Sequence, residues 1–361
     1  MKSKALQTER VIVGLSGGVD SAVAAATLIE AGFDVHAATL RLWQVDPTRA
    51  DSALERVRAI AETLHIPLRV LDLRERFYRE IVEPFAETYA RGLTPNPCVL
   101  CNPHLKFNAL LSVADEEDAR WVATGHYARV RHPPQTPAQL WQARSRRRDQ
   151  SYMLYRLTQT TLTRLRLPLG EMEAKTEVRA QARRLGLPVA DTQDSQDLCF
   201  LAGGDYRSLV ETLRPSSFEP GPIVNEAGEV LGTHRGLPRY TVGQRSGLGL
   251  ASEGRLYVLA LRPAENTLVV GPAERLQKRG CLLRDVTFIA GEPPAHEFTA
   301  EVRIRYRAPL TKAYLEILPA ATAHVTFATP QRAPAPGQSV VFYQGEQVLG
   351  GGLITRSEED T

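Results

Sequence analysis

Gly14-Leu15-Ser16-Gly17-Gly18-Val19-Asp20-Ser21 follows an apolar run, Val11 to Leu15, and opens a helical pattern from about Asp20 to Ala31 that Gly32 stops. A glycine turn set between a strand and a helix leaves free backbone N–H groups at the positive end of the helix, where phosphate binds. Two adjacent glycines let the backbone approach an anion closely. The stretch lacks the Gly-Lys-Ser/Thr ending of a Walker loop, so the argument for γ-phosphate chemistry is absent. A second strand, Asp34 to Leu40, completes a βαβ unit.

Alternation continues outward from that unit. Helical patterns at Ala53–Leu64, Glu75–Tyr89 and Lys106–Ala114 flank strand patterns at Leu68–Leu73 and Arg120–Thr124, which predicts a parallel sheet covered by helices. A Pro-rich excursion, His132 to Pro137, and a basic run of Arg144, Arg146, Arg147 and Arg148 read as surface. Helical signals return at Tyr152–Leu157 and Thr176–Leu185, the latter ending near Gly186. From Gly203 the texture changes: one helix, Asp205–Leu213, gives way to short β-type runs separated by Pro and Gly. These runs are Ile223–Leu231, Arg255–Leu261, Thr267–Val270, Cys281–Ile289, Thr299–Tyr306, His324–Phe327 and Ser339–Tyr343. They suit small barrels or sandwiches. The expected architecture is therefore α/β: an N-terminal parallel-sheet domain (1–202), a small central β-rich domain (203–279) and a C-terminal β-barrel (280–361).

Composition narrows the function. The chain has 361 residues, 43% hydrophobic and 24% charged, which is ordinary globular material long enough for two or three cores. No stretch reaches the roughly 18 consecutive apolar residues of a membrane helix, and Met1 to Arg10 lacks a signal peptide's apolar core, so a cytoplasmic protein is expected. Four cysteines are too few for a secreted disulfide scaffold, and the close pair Cys98 and Cys101 points to metal binding or redox chemistry. A net charge of +3 is mild, so any nucleic-acid contact must come from clustered Arg. Arg303, Arg305 and Arg307 alternate along an expected strand and predict a cationic stripe on one strand face.

Ser16-Gly17-Gly18-Val19-Asp20-Ser21 resembles the loop of the ATP pyrophosphatase family, which grips pyrophosphate, leaves AMP on a substrate oxygen and uses its Asp near Mg²⁺. Five further segments, Thr94–Asn102, Ala123–Tyr127, Asp149–Tyr152, Asp194–Phe200 and Thr241–Gly249, together resemble the tRNA-specific 2-thiouridylases. Pro336–Ser339 and Leu349–Gly352 extend that resemblance over effectively the whole chain. It implies ATP- and Mg²⁺-dependent thiolation at C2 of the wobble uridine, position 34 of tRNA, with a sulfur-relay protein or cysteine desulfurase as donor partner. It implies that Cys199 receives sulfur as a persulfide, and that Cys101 is the second thiol, releasing that sulfur and closing a transient disulfide. By the same likeness Gly14 to Ser21, Leu40 and Gly125 hold the nucleotide, and Asn96, Pro97 and Cys98 touch the target base. His126, Arg148, Asp149, Gln150, Arg305, Tyr306 and Gln338 would contact the tRNA.

The residues also admit other readings. Cys98, Cys101 and Cys199 could ligate three irons of a [4Fe–4S] cluster, and Cys98 with Cys101 could be half a zinc site. The zinc reading would make the chain a zinc-stabilised RNA-binding module, and another adenylating synthetase of the superfamily, such as an amide-forming one, would need no cysteine pair at all. Cys281 has no companion motif and is expected in a core. A reactive thiolate needs a cationic neighbour or a helix end, for which Lys106 and His126 are the candidates.

Overall fold

The chain opens with β1 (Arg10–Gly14), β2 (Asp34–Arg41), β3 (Leu68–Asp72) and β4 (Trp121–Ala123), leaves for a hairpin of β5 (Ala128–Arg131) and β6 (Gln139–Gln142), and returns as β7 (Leu165–Arg166). In the computed structural model, which describes residues 8–192, 198–201, 203–251 and 254–358, β3-β2-β1-β4-β7 form one parallel sheet. Val11, Ile12 and Val13 of the central strand are fully buried, which is why it reads as an unbroken apolar run. The next strand in sequence, β2, pairs on one side of β1, and β4 pairs on the other. The crevice beyond the strand ends at such a switch point is where open α/β sheets bind ligands.

Helix α1 (Val19–Glu30) is alanine-rich and buries Ala22 to Ala26 against the sheet. Helix α2 (Pro47–Leu64) begins six residues before the expected start: Asp46 accepts a bond from the Thr48 amide and Pro47 occupies the first turn. The expected helix Lys106–Ala114 is the end of a longer one. Pro97–Cys101 is α-helical, Asn102–Phe107 winds as a π-helix, and Asn108–Glu116 resumes the α form. Pro103 supplies no backbone N–H to the ladder, and the wide turn absorbs the defect. The expected helix at Tyr152–Leu157 is instead a 3₁₀ turn, Ser151–Met153, followed by turns.

The central unit holds β8 (Gly221–Val224), β9 (Val230–His234), β10 (Tyr257–Arg262) and β11 (Thr267–Gly271), in the order β10-β11-β8-β9. The single run expected at Ile223–Leu231 is thus a hairpin that turns at Asn225, whose side chain accepts from the Ala227 and Glu229 amides. β12 (Gln277–Phe288), β13 (Glu297–Arg303), β14 (Thr311–Leu318), β15 (Thr322–Arg332), β16 (Ser339–Gln344) and β17 (Gln347–Glu358) close a six-stranded barrel through the β12–β17 pairing. Cys281 lies fully buried inside it with Val302, Leu315, Val325 and Phe342. The Pro-rich excursion is the turn of the β5–β6 hairpin, and β6 pairs with β17, so the first unit extends the barrel's own sheet. Among the described residues no helix is long and apolar enough to cross a membrane.

Candidate active site

The turn after β1 is shaped by its glycines. Gly17 has φ +75°, and a Cβ there would stand 2.8 Å from the Ala53 carbonyl oxygen, so any other residue would be both strained and blocked. Ser21 Oγ bonds the Gly18 carbonyl at 3.0 Å and accepts from the Ser16 amide at 3.1 Å, folding the loop over the start of α1. Gly18 is the N-cap and brings no side-chain cap, so the first amides of α1 stay available to an anion. Ser16 is exposed, Gly17 and Val19 are buried, and Leu15 is fixed by its amide to Ala38 of β2. Leu40, half-buried, stands farther along β2 at the same edge, and Gly14 ends β1. Gly125, just past β4, presses on the loop from the other side: a Cβ there would meet Asp20 C and Ser21 N, each at 2.7 Å.

Asp20 is bonded by Lys175 Nζ at 2.6 and 2.7 Å and by the Tyr127 hydroxyl at 2.6 Å. The sequence reading gave neither partner a role: Lys175 looks like an ordinary helix start, and Tyr127 is one letter of a longer motif. A Mg²⁺ ion is ordinarily held by one or two carboxylates plus substrate phosphates, a pattern that Asp20 beside an anion-binding turn fits.

The helical turn Pro97–Cys101 carries both cysteines of the pair three residues apart, hence on one face. Asn96 precedes it and donates to Met153 Sδ at 3.3 Å, while buried Asn102 donates to the Met153 carbonyl at 3.0 Å. Pro97 is buried, Cys98 half-buried and Cys101 buried among Phe77, Phe85, Leu105 and Phe200. Phe200 anchors the other sulfur: its ring meets Phe85 at 5.2 Å and Phe77 at 5.8 Å, its carbonyl accepts from Val45, and Cys199 next to it is left exposed. Sequence reasoning missed Phe200 as an anchor because an aromatic beside a cysteine has no signature of its own. Asp194 to Asp197 of the same motif lie outside the described residues.

Electrostatics run against the expected low-pKa thiolate. Burial raises Cys98 and Cys101, with Lys106 pulling both partly back. Crowding of protein around Cys199 pushes its thiol up to about 12, and Cys98 and Cys101 add to the rise. The residue as a whole is exposed. His126 is driven down to about 3 by desolvation and then by Lys106, and its Nδ1 lies 2.7 Å from Thr124 Oγ1. A neutral imidazole supplies no positive charge, which leaves Lys106 as the cation facing the sulfurs. All four cysteines are free thiols. Among the described residues no group of three or more His, Cys, Asp or Glu is arranged to hold a metal ion.

Several residues expected at the tRNA serve the fold. Asp149 is buried and accepts from the Ala143 and Ser151 amides, from Ser151 Oγ at 3.0 Å and from Arg303 at 3.4 Å. Gln150 exchanges bonds with the backbone of Tyr127, its Oε1 accepting at 2.9 Å. Gln338 donates to the Thr94 carbonyl at 3.0 Å, and the Thr94 amide donates to Pro336, so a barrel turn holds the segment that leads to Asn96. The cationic stripe does not form, because β13 ends at Arg303 and the chain turns. Arg303 points to Asp149 and over Tyr343, Arg305 is exposed in the turn, and Arg307 lies over the half-buried ring of Tyr306 at 5.2 Å. In the basic run Arg144 pairs with Glu171 and Arg146 with Glu346, Arg148 is half-buried, and Arg147 is exposed.

Three family descriptions match the chain in succession: a tRNA methyl transferase HUP domain over residues 9–203, a tRNA methyl transferase PRC-barrel domain over 209–272 and an aminomethyltransferase beta-barrel domain over 278–354. A tRNA-specific 2-thiouridylase of Magnetococcus marinus is 44% identical over 356 residues, covering 96% of this chain and 99% of its own. That of Chloroflexus aurantiacus is 45% identical over 355 residues, with the same coverage. The relative in Paramagnetospirillum magneticum is 44% identical over 362 residues, covering 97% of this chain and 96% of its own. Among solved structures, the U34-tRNA thiolase of Methanococcus maripaludis with its [4Fe–4S] cluster is similar at a TM-score of 0.35 and 17% identity over 60% of this chain and 67% of that one, too distant to bear on chemistry.

Proposed function

The chain belongs to the tRNA-specific 2-thiouridylases, and we propose on that premise that it thiolates C2 of the wobble uridine, position 34, of tRNA at the expense of ATP. The observation that carries the reading is the phosphate-binding turn Gly14–Ser21 lying at the switch point of the same unit that bears Cys101 and an exposed Cys199. Uridine O2 is a poor leaving group. Attack of O2 on Pα, with pyrophosphate departing and the N3 proton lost to solvent, turns it into the oxygen of AMP. The terminal sulfur of a Cys199 persulfide then adds at C2 and AMP leaves. Cys101 attacks the inner sulfur, the S–S electron pair stays with the sulfur on uridine, and a Cys101–Cys199 disulfide remains for an external thiol to reduce.

In this proposal Leu40 and Gly125 flank the nucleotide, and Asp20 is the carboxylate for Mg²⁺. Asn96, Pro97 and Cys98 line the target base, which must be splayed out of its loop to reach them. His126, Arg148, Asp149, Gln150, Arg305, Tyr306 and Gln338 form or brace the tRNA-facing side, with units divided at 202 and 279. A sulfur-relay protein or cysteine desulfurase loads Cys199, whose exposure suits such a partner, and the cytoplasm is the proposed compartment. Mass spectrometry of tRNA nucleosides after incubation with ATP and a persulfide donor tests the function: 2-thiouridine should appear with the parent and with Cys98→Ala. It should be absent with Cys101→Ser and Cys199→Ser. Unmodified uridine with the folded parent would refute the reading.

A further inference from the structure

The carboxylate of the phosphate loop is already occupied. Lys175 spans both Asp20 oxygens at 2.6 and 2.7 Å, and Tyr127 donates to Oδ1. The lysine side chain is 10% exposed against 33% for Asp20, so the ammonium sits inward beneath the loop. An ion pair withdrawn from water adds little net stability, because desolvation cancels most of the attraction. A strut alone would be served as well by apolar residues.

The helix Lys175–Arg184 explains how the charge arrives there. It lies along α1 in the same direction: Lys175 meets Asp20, Gln181 meets Thr27 and Glu30, and Arg184 meets Glu30. The two helices therefore begin side by side at the glycine turn, and neither carries a side-chain cap. A flexible stem with a compact, three-donor ammonium can change partners without moving either helix.

We propose that Lys175 is a pyrophosphate-binding residue of the adenylylation step: on ATP entry its ammonium passes from Asp20 to the β- and γ-phosphoryl oxygens, freeing one edge of Asp20 for Mg²⁺ while Tyr127 keeps the other. The proposal rests on the reading of the loop as an ATP site. As O2 of uridine bonds to Pα and the bond from Pα to the bridging oxygen breaks, the electron pair leaves on pyrophosphate. An inward, poorly hydrated cation at that oxygen stabilises the developing charge more than it stabilises intact ATP.

The test is direct binding of inorganic pyrophosphate and of AMP, each with Mg²⁺, to the full-length parent, Lys175→Met and Lys175→Arg. Loss of a charge-assisted contact predicts pyrophosphate binding weaker by about tenfold or more in Lys175→Met, with AMP binding unchanged and Lys175→Arg recovering most of the loss. Lys175→Gln replaces the methionine variant if that one does not fold. Unchanged pyrophosphate binding overturns the proposal, and so does an equal loss of AMP binding, which marks Lys175 as a strut for the whole loop. A parent that binds neither ligand overturns the nucleotide reading of the loop instead.

Discussion

Ser16 and Asp20 show how far single residues were legible. Both were assigned to the nucleotide from a contiguous motif, and the folded loop gives each a distinct job: Ser16 lines its exposed rim and Asp20 carries its carboxylate. Ser16→Ala and Asp20→Ala should each abolish tRNA-dependent pyrophosphate release while filter binding of tRNA stays near the parent's, since neither side chain reaches the barrel. His126 was assigned as a tRNA contact and a possible cation, and its protonation was not legible, because the desolvation that lowers it comes from the tertiary surroundings. Its folded pKa, about 3, lies below the ordinary 6.5, so its contribution to stability is present above pH 6.5 and is lost as pH falls toward 3. His126→Gln should flatten the acid limb of a denaturant-stability profile in that window by at most one proton, about 1.4 kcal/mol per pH unit. An unchanged slope would show that His126 is protonated in the native protein.

At the scale of elements, local signals and tertiary ones separate cleanly. The βαβ start, α1 and the helix Lys175–Arg184 fell within a residue or two of expectation, because buried periodicity and glycine stops are written locally. The cysteine-bearing helix was started too late: Pro97 sits in its first turn and the π-helical Asn102–Phe107 accommodates Pro103, so the helix begins nine residues before the expected Lys106. β14 and β17 escaped notice: Lys312 and Glu316 interrupt the one, and Gly350, Gly351 and Gly352 the other. Those glycines are required where strands crowd. Gly125 is the element-scale test, for its backbone abuts Asp20 and Ser21. Gly125→Ala should weaken ATP binding by about tenfold or more, as expected when a phosphate-binding turn is displaced, and leave tRNA affinity unchanged. Calorimetric titration with ATP showing the parent's affinity would place Gly125 outside the nucleotide site.

The whole molecule is tied together by contacts between residues far apart along the chain. Glu346, in the β16–β17 turn, pairs with Arg129 and Arg146 of the first unit, Arg303 of the barrel reaches Asp149, and Gln338 holds the segment before Asn96. A chain of bonds thus runs from Asp20 through Tyr127 and Gln150 to the segment whose Asp149 meets the barrel. Arginines once grouped as a stripe should therefore behave differently. Arg305→Ala should make the log–log salt dependence of tRNA binding shallower by about 0.7 to 0.9 with stability intact. Arg303→Ala removes the cation facing Asp149, whose side chain is 1% exposed and keeps its bonds from Ala143 and Ser151, and should cost about 3 kcal/mol in urea unfolding. Equal effects of the two substitutions on both measurements would restore the stripe.

The sequence by itself determined the strand, glycine turn and helix that open the chain and the α/β-then-barrel order, because each is encoded in contiguous residues; the roles proposed for Cys101 and Cys199 came from the family resemblance of their motifs. Only the tertiary structure decided what faces what. It set the Asp20–Lys175 pair across 155 positions, the burial that raises every thiol, the anchoring of Cys199 by Phe200, and the diversion of Arg303 from solvent to Asp149. The physical reason is that desolvation and charge pairing depend on the whole set of neighbours, and those neighbours lie far apart along the chain until the fold brings them together.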